Sequence, residues 1–160
     1  MTVAHIGIGS NLGDSRRIVR DAVAALAALP HTHALSSSAH YATPPWGRAD
    51  QPHFVNAVVE IETALSAQQL LEALLDIERD AGRVRDDSRW GPRVLDLDLL
   101  LYGDAVLSEP GLSVPHPYLA QRAFVLLPLA EIAPDREVPG AGRVRDLLDR
   151  VDAADCVRLA

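Results

Sequence analysis

The stretch VLDLDLLLY at residues 94–102 decides the fold, because acidic and aliphatic residues alternate in it with a period of two. That period is typical of a β-strand, whose successive side chains point to opposite faces of a sheet. One face of the predicted strand carries Leu95, Leu97, Leu99 and Leu101. Asp96 and Asp98 share the other face, about 7 Å apart at Cα by the rise of a strand.

This aspartate pair predicts either a bound cation or a shared proton. Two neighbouring carboxylates on a buried strand repel each other and lose their hydration. Mg²⁺ prefers oxygen ligands and often takes one or two carboxylates together with substrate phosphates. The competing interpretation is a solvated outer face, on which Asp96 and Asp98 simply point to water. An Asp-x-Asp pattern does not by itself distinguish the two.

An arginine-rich segment directly precedes the aspartates. Residues 82–93, GRVRDDSRWGPR, contain four arginines with little periodicity, which predicts a surface loop. Carboxylates for a metal beside several guanidinium groups are the parts that phosphoryl transfer needs, because the cations spread and orient the charge of a polyphosphate. The loop therefore favours a phosphoryl-transfer site, although any single arginine could equally belong to a solvated basic surface.

The rest of the chain predicts alternating strands and helices. Residues 54–62 alternate, with Val55, Ala57, Val59 and Ile61 on one face. A capping box at Ser66–Gln69 predicts the start of a helix that Gly82 ends. Gly103-Asp104 predicts a hairpin turn into a short apolar run at 105–107. Further strands are predicted at 3–8, 35–42 and 156–159, and helices at 15–29, 119–132 and 143–151.

This order of elements predicts an α+β fold. The sequence β, α, β, β, α, β, β, α indicates a ferredoxin-like, mainly antiparallel sheet with helices packed on it in three αβα layers. We expect one domain over residues 1–160, since 48% hydrophobic and 23% charged residues are typical of a globular chain.

Composition excludes several classes of function. A net charge of −7 argues against a general nucleic-acid binder. The basic residues are all arginine, which excludes Schiff-base enzymes and a Walker A loop because both need lysine. There is no apolar run long enough for a membrane span and no signal sequence. With Cys156 as the sole cysteine, we expect a cytoplasmic protein without an intrachain disulfide.

Residues 89–100, RWGPRVLDLDLL, resemble the signature of the 6-hydroxymethyl-7,8-dihydropterin pyrophosphokinase family of folate biosynthesis. The resemblance covers nearly the whole chain, in several motifs that occur in the same order. The other motifs are GIGSNLG at 7–13, YATPP at 41–45, DQP at 50–52, Phe54 with Asn56, GRVR at 82–85, Pro115-His116, and PLAEIAP at 128–134.

The resemblance implies a 2-amino-4-hydroxy-6-hydroxymethyldihydropteridine diphosphokinase. In that reaction the hydroxyl of the pterin attacks the β-phosphorus of ATP, and AMP leaves. Asp96 and Asp98 would hold two Mg²⁺ ions. Arg83 and Arg93 resemble the arginines that contact the phosphates, so these four residues form the implied catalytic set. We expect only small-molecule partners, no nucleic acid or membrane, and a monomer.

The resemblance also implies two substrate sites. Phe54 and Phe124 would stack on the two sides of the pterin ring, although without the resemblance both are better explained as core residues. The remaining pterin-site residues are Asn56, which would hydrogen-bond the ring edge, and Thr43, Pro45 and Trp46. The nucleotide site would be lined by Glu78, Arg85, Trp90, Leu99, Ser113, His116 and Arg122, with Arg85 and Trp90 in a closing loop.

Three positions depart from the family pattern: Gly111 and Ala120 replace residues that are basic or polar in some members, and Pro117 stands where a tyrosine is common.

Two other classes of function are alternatives to the pyrophosphokinase. An Asp-x-Asp glycosyltransferase is disfavoured, because such enzymes usually carry a nucleotide-binding domain larger than 160 residues allow. A non-catalytic regulatory module on a ferredoxin-like fold would bind ligand without turnover and would tolerate the loss of Asp96.

Overall fold

The computed structural model describes residues 1–44, 53–82 and 94–160, which contain ten strands and four α-helices. The strands are β1 (Thr2–Ser10), β2 (Thr32–Ser37), β3 (Tyr41–Thr43), β4 (Phe54–Thr63), β5 (Asp96–Tyr102), β6 (Leu107–Glu109), β7 (Leu112–Val114), β8 (Glu137–Val138), β9 (Gly142–Arg143) and β10 (Val157–Arg158). The helices are α1 (Ser15–Ala27), α2 (Ala67–Asp80), α3 (Ala123–Ile132) and α4 (Val144–Leu148).

Six of the strands form one antiparallel sheet with the order β10-β3-β4-β1-β5, and β2 pairs with β4 beside β3. β1 is therefore flanked by β4 on one side and by β5 on the other. Two separate hairpins, β6-β7 and β8-β9, complete the described strands. None of the helices in these three stretches of chain is long and apolar enough to cross a membrane.

A first core lies between the sheet and helices α1 and α2. The predicted alternation of β4 is confirmed, since Ala57, Val59 and Ile61 are all buried on this side. The capping box at Ser66 is also confirmed, and it starts α2 where the apolar stripe of that helix begins. The core's buried members include Ala4, Ile6, Ile8, Val19, Ala22, Leu26, Leu70, Leu74, Leu95, Leu97 and Leu99.

A second core joins the sheet to helices α3 and α4. Its buried members are Val58, Leu100, Leu101, Leu119, Val125, Leu126, Leu129, Val138, Val144 and Leu147. Each leucine that is fully buried in such a core contributes about 1.5–3 kcal/mol. The side chains of Asp96 and Asp98 belong to this face of β5, because they alternate with Leu97 and Leu99 of the first core.

The prediction that Leu101 shares a face with Leu97 and Leu99 is wrong. Leu99 pairs with Ile6, but the next pair along β1 is His5 with Leu101, so Leu100 is an extra residue in β5. This bulge turns Leu100 and Leu101 to the second core together. The carbonyl of Leu100 accepts a hydrogen bond of 2.9 Å from the backbone N–H of His116.

Three other predicted elements differ from the structure. The strand expected at 35–42 is two strands, β2 and β3, because Ser38 leaves the ladder and its Oγ accepts the Val58 N–H at 2.9 Å. The hairpin expected at Gly103-Asp104 does not return to β5. Instead β6 pairs with β7, and their turn carries Gly111 at a φ of +74°. The helix expected at 119–132 begins at Ala123, after a 3-10 turn.

Candidate active site

Two glycines of β1 form a floor between the aspartates of β5 and the polar end of β4. Gly9 pairs with Asp96 on one side and with Asn56 on the other, and Gly7 pairs with Asp98 and Val58 in the same way. Paired residues of neighbouring antiparallel strands face the same side of a sheet. Because neighbouring strands lie about 4.8 Å apart, Asp96 and Asn56 are about 10 Å apart, with Gly9, which has no side chain of its own, between them.

Gly9 is required by the position of Asn56. A Cβ at Gly9 would stand 2.9 Å from Oδ1 of Asn56 and 3.7 Å from Cδ1 of Phe54. At Gly7, the nearest atom to a Cβ would be a methyl group of Leu100 at 3.4 Å, which is an ordinary contact. Neither glycine was singled out for the site from the sequence, since their importance depends on a strand pairing that no local pattern reveals.

The two aspartates lie on one face of β5, as the alternation predicts. Asp98 is 34% exposed, and its Oδ1 lies 3.8 Å from Nε2 of His116. Nδ1 of His116 accepts the backbone N–H of Tyr118 at 3.2 Å, so a neutral ring carries its proton on Nε2, towards Asp98.

His116 is neutral in this environment. Burial and, to a smaller extent, the positive charge of Arg122 lower its pKa to about 4, although the negative charge of Asp96 opposes both effects. The ring is therefore a hydrogen-bond donor rather than a cation near pH 7.

The aspartates fit a magnesium site that substrate oxygens complete. Among residues 1–44, 53–82 and 94–160 there is no group of three or more His, Cys, Asp or Glu side chains that could hold a metal ion. Because Mg²⁺ demands octahedral coordination, a cation held by Asp96 and Asp98 would take further oxygen ligands, which a bound molecule or water can supply. Mg²⁺ commonly binds in this way, through one or two carboxylates and the phosphates of a nucleotide.

On the other side of the glycine floor, Asn56 and Thr43 form a buried polar pair. Nδ2 of Asn56 donates a hydrogen bond of 2.5 Å to Oγ1 of Thr43, and both residues are buried. This bond directs the acceptor Oδ1 of Asn56 towards Gly9. Phe54 lies two residues earlier on β4 and on the same face, so an aromatic ring and an amide acceptor stand together.

Arg122 links the two halves of the site. Its guanidinium carbon lies 5.4 Å from the centre of the Phe124 ring and 5.0 Å from that of the Tyr118 ring, which are cation–π distances. Arg122 is 9% exposed and stands at the N-terminal end of α3, which packs against β3 and β4. Its charge also reaches His116.

The remaining predicted residues are placed less directly. Glu78 is buried, and its carboxylate accepts the Leu97 N–H. The side chain of Leu99 belongs to the first core, so only its backbone can face a ligand. Ser113 is exposed on β7. Pro117 is exposed, and Ala120 packs against the second core. The predicted site residues that lie outside the described residues are Pro45, Trp46, Arg83, Arg85, Trp90 and Arg93.

Comparison with known proteins identifies the family. The sequence model of 7,8-dihydro-6-hydroxymethylpterin-pyrophosphokinase (HPPK) matches residues 5–134. A 2-amino-4-hydroxy-6-hydroxymethyldihydropteridine pyrophosphokinase of Methylorubrum extorquens is 48% identical over 159 residues, which are 99% of each chain. The enzyme of the same name from Pseudomonas aeruginosa is 46% identical over 90% of this chain and 88% of its own.

Solved structures agree on the fold. An HPPK-DHPS of Plasmodium falciparum superposes with a TM-score of 0.70 at 14% identity, over 94% of this chain. The present chain spans 43% of that longer protein. Given the family match over most of its length and the close relatives that share nearly all of it, this chain belongs to the 7,8-dihydro-6-hydroxymethylpterin-pyrophosphokinase family.

Proposed function

We propose that this chain transfers a diphosphate group from ATP to the hydroxyl of 6-hydroxymethyl-7,8-dihydropterin, giving AMP and the pterin diphosphate. Its family is one of pyrophosphokinases of folate biosynthesis, and its relatives at 43–48% identity carry that name. The observation that carries the proposal is the row Asp96, Gly9, Asn56 across three neighbouring strands. It sets acidic residues for a metal–nucleotide complex about 10 Å from an amide that can recognise a heterocycle.

The acidic side of the row is proposed to bind the triphosphate. Asp96 and Asp98 would hold two Mg²⁺ ions, which supply charge neutralisation of the phosphates and a lower pKa of the substrate hydroxyl. The neutral Nε2–H of His116 would donate to a phosphate oxygen beside Asp98, and Arg122 would add positive charge. By the family pattern, Arg83 and Arg93 would contact the phosphates, and Arg85, Trp90, Leu99 and Ser113 would line the rest of the nucleotide site.

The amide side of the row is proposed to bind the pterin. Phe54 and Phe124 would stack on the ring. Such stacking binds a flat aromatic heterocycle with little loss of side-chain entropy. Oδ1 of Asn56 would accept a hydrogen bond from the ring edge, since Thr43 already holds its Nδ2. The backbone near Pro45 and Trp46 would complete this pocket. The hydroxymethyl group would then project over the glycine floor towards the aspartates, where positioning itself accelerates transfer.

We further infer a ferredoxin-like, three-layer αβα architecture in a single domain of residues 1–160. Two cores, each covered by two helices, and the strand order β4-β1-β5 support it. We also propose that the protein is a cytoplasmic monomer. Its single cysteine, Cys156, agrees with a reducing compartment.

Product identification tests the reaction. The purified protein is incubated with ATP, Mg²⁺ and the hydroxymethyl pterin, and the nucleotides are separated by ion-exchange chromatography. AMP should form in equal amount to the pterin diphosphate. Formation of ADP with a pterin monophosphate would overturn the proposal, as would ligand binding with no turnover at any Mg²⁺ concentration.

A further inference from the structure

The carboxylate of Glu78 is buried against the outer edge of β5. Glu78 lies on α2 and is 1% exposed, and its Oε2 accepts the backbone N–H of Leu97 at 2.8 Å. A buried carboxylate is costly unless hydrogen bonds compensate for its lost hydration. The apolar face of the same helix is otherwise built from leucines such as Leu70 and Leu74, so packing alone does not explain an acid here.

The hydrogen bond to Glu78 is made by a peptide at the edge of the sheet, between the two aspartates. β5 is the last strand of its sheet, so the inner edge of β5 pairs with β1 and no strand covers its outer edge in the part of the chain that the structure describes. Leu97 stands between Asp96 and Asp98. The Leu97 N–H points away from β1. Without Glu78 it would be an unpaired donor beside a buried helix. The bond to Glu78 is therefore made by the peptide that joins Asp96 to Leu97, between the two aspartates.

We propose that Glu78 is a positioning residue for the metal site: through the Leu97 N–H, it holds the strand segment on which Asp96 and Asp98 depend for a common orientation. The inference rests on the proposed function, because it assigns Glu78 an effect on that same site. Charge-assisted bonds to a backbone N–H are short and strong, which suits a support for ligands that must converge on cations. Groups that orient metal ligands commonly affect metal binding as much as activity.

Two variants separate the hydrogen bond from the packing. Glu78→Gln keeps an oxygen that can accept the Leu97 N–H, whereas Glu78→Leu keeps a similar volume without an acceptor. The matched control is Leu74→Ala, one helical turn earlier on the same buried face, which removes packing and leaves the bond intact.

The first measurement is hydrogen exchange at the Leu97 amide, followed by NMR in the free protein. Exchange should be slow in the wild type, in Glu78→Gln and in Leu74→Ala, and fast in Glu78→Leu. Unchanged slow exchange in Glu78→Leu would overturn the proposal. This measurement needs no substrate, so it tests the hydrogen bond between Glu78 and Leu97 independently of turnover. A wild type that produced no AMP would contradict the proposed function alone.

The second measurement is the Mg²⁺ concentration that gives half-maximal AMP formation, well below the melting temperature of each variant. Glu78→Leu should raise it by about tenfold, with the KM for the pterin alcohol unchanged. Leu74→Ala should lower the melting temperature but leave the Mg²⁺ dependence as in the wild type. If Glu78→Leu does not fold, Glu78→Gln decides. A loss of Mg²⁺ response in Glu78→Gln while the Leu97 amide stays protected would mean direct contact with the ligands, and the positioning role would be wrong.

Discussion

The α-carbon of Gly9 lies so close to the side chain of Asn56 that a Cβ on Gly9 would stand 2.9 Å from Oδ1 of Asn56. This contact joins β1 to β4 at the point where Asn56 is buried and bonded to Thr43. The shape of the proposed pterin pocket therefore depends on the absence of a side chain on the neighbouring strand.

Gly9→Ala should weaken pterin binding by about tenfold or more, equivalent to about 1.4 kcal/mol, because Asn56 must move to relieve the overlap. Titration calorimetry with the pterin measures the change. Gly7→Ala is the matched control on the same face of β1, where the new methyl would meet only Leu100 at 3.4 Å. We expect a smaller loss there. Equal affinities in the wild type and Gly9→Ala would contradict the proposed position of the ring.

Asp98→Asn should reduce kcat by at least about 100-fold, since Lewis-acidic ions supply several kcal/mol of charge stabilisation in the transition state. The fold should persist, because the side chain is partly exposed. Steady-state rates over a range of Mg²⁺ concentrations and a thermal melt provide the check. Asp104→Asn is the control, since Asp104 is 87% exposed and pairs with Arg136 far from the row. Substantial turnover in Asp98→Asn at ordinary Mg²⁺ would be incompatible with a metal ligand at this position.

Thr43→Val should destabilise the protein by about 1–3 kcal/mol, because Nδ2 of Asn56 loses its buried acceptor. It should also raise the KM for the pterin, since Asn56 is then free to rotate. Thr32→Val serves as the comparison: it breaks a similar buried hydroxyl pair, with Thr63, elsewhere in the sheet. Chemical denaturation should give similar losses for both variants. If the KM for the pterin rose in both variants, or in neither, Thr43 would have no specific role in substrate recognition.

The buried pair of His5 and Glu60 should make stability depend on pH below about 6.5. Burial lowers the pKa of His5, so the unfolded chain binds a proton that the folded chain resists, although the hydrogen bond to Glu60 opposes this shift. The free energy of unfolding should therefore fall as pH drops below the unfolded pKa, and it should recover as pH rises. Denaturation curves between about pH 5 and about pH 8 measure how steeply the free energy of unfolding changes with pH. This range lies on both sides of the ordinary histidine pKa of about 6.5.

His5→Leu should flatten this slope. His33→Gln is the control, because His33 is exposed on β2. A slope in His5→Leu equal to that of the wild type would show that other groups produce the acid sensitivity.

Local alternation predicts the faces of β4 and most of β5 because a strand's period is visible in the sequence itself. The shared face of Asp96 and Asp98 and the buried row of Ala57, Val59 and Ile61 follow from it. The error at Leu101 has a physical reason: a bulge adds a residue without disturbing the apolar pattern, so leucines on either side of it look equivalent.

The rest of the site depends on pairings between distant segments. Nothing near Gly9 indicates that Asp96 and Asn56 lie on its two sides, since that register joins residues more than forty positions apart along the chain. The split between β2 and β3 depends likewise on a bond from Val58 to Ser38, twenty residues away. Such contacts are set by the assembled sheet, and a single sequence does not display them.

The extra residue Leu100 has a consequence for how this segment tolerates insertions and deletions. Its carbonyl anchors the N–H of His116, and the bulge sets which way the strand continues after the aspartates. Deleting Leu100 would restore a regular ladder in which Leu101 still pairs with His5, yet the second core would lose a fully buried leucine and the N–H of His116 would lose its carbonyl partner. The length of chain from Asp98 to Leu101 is thus constrained independently of its composition, and changes in length here should be far more damaging than exchanges among aliphatic side chains.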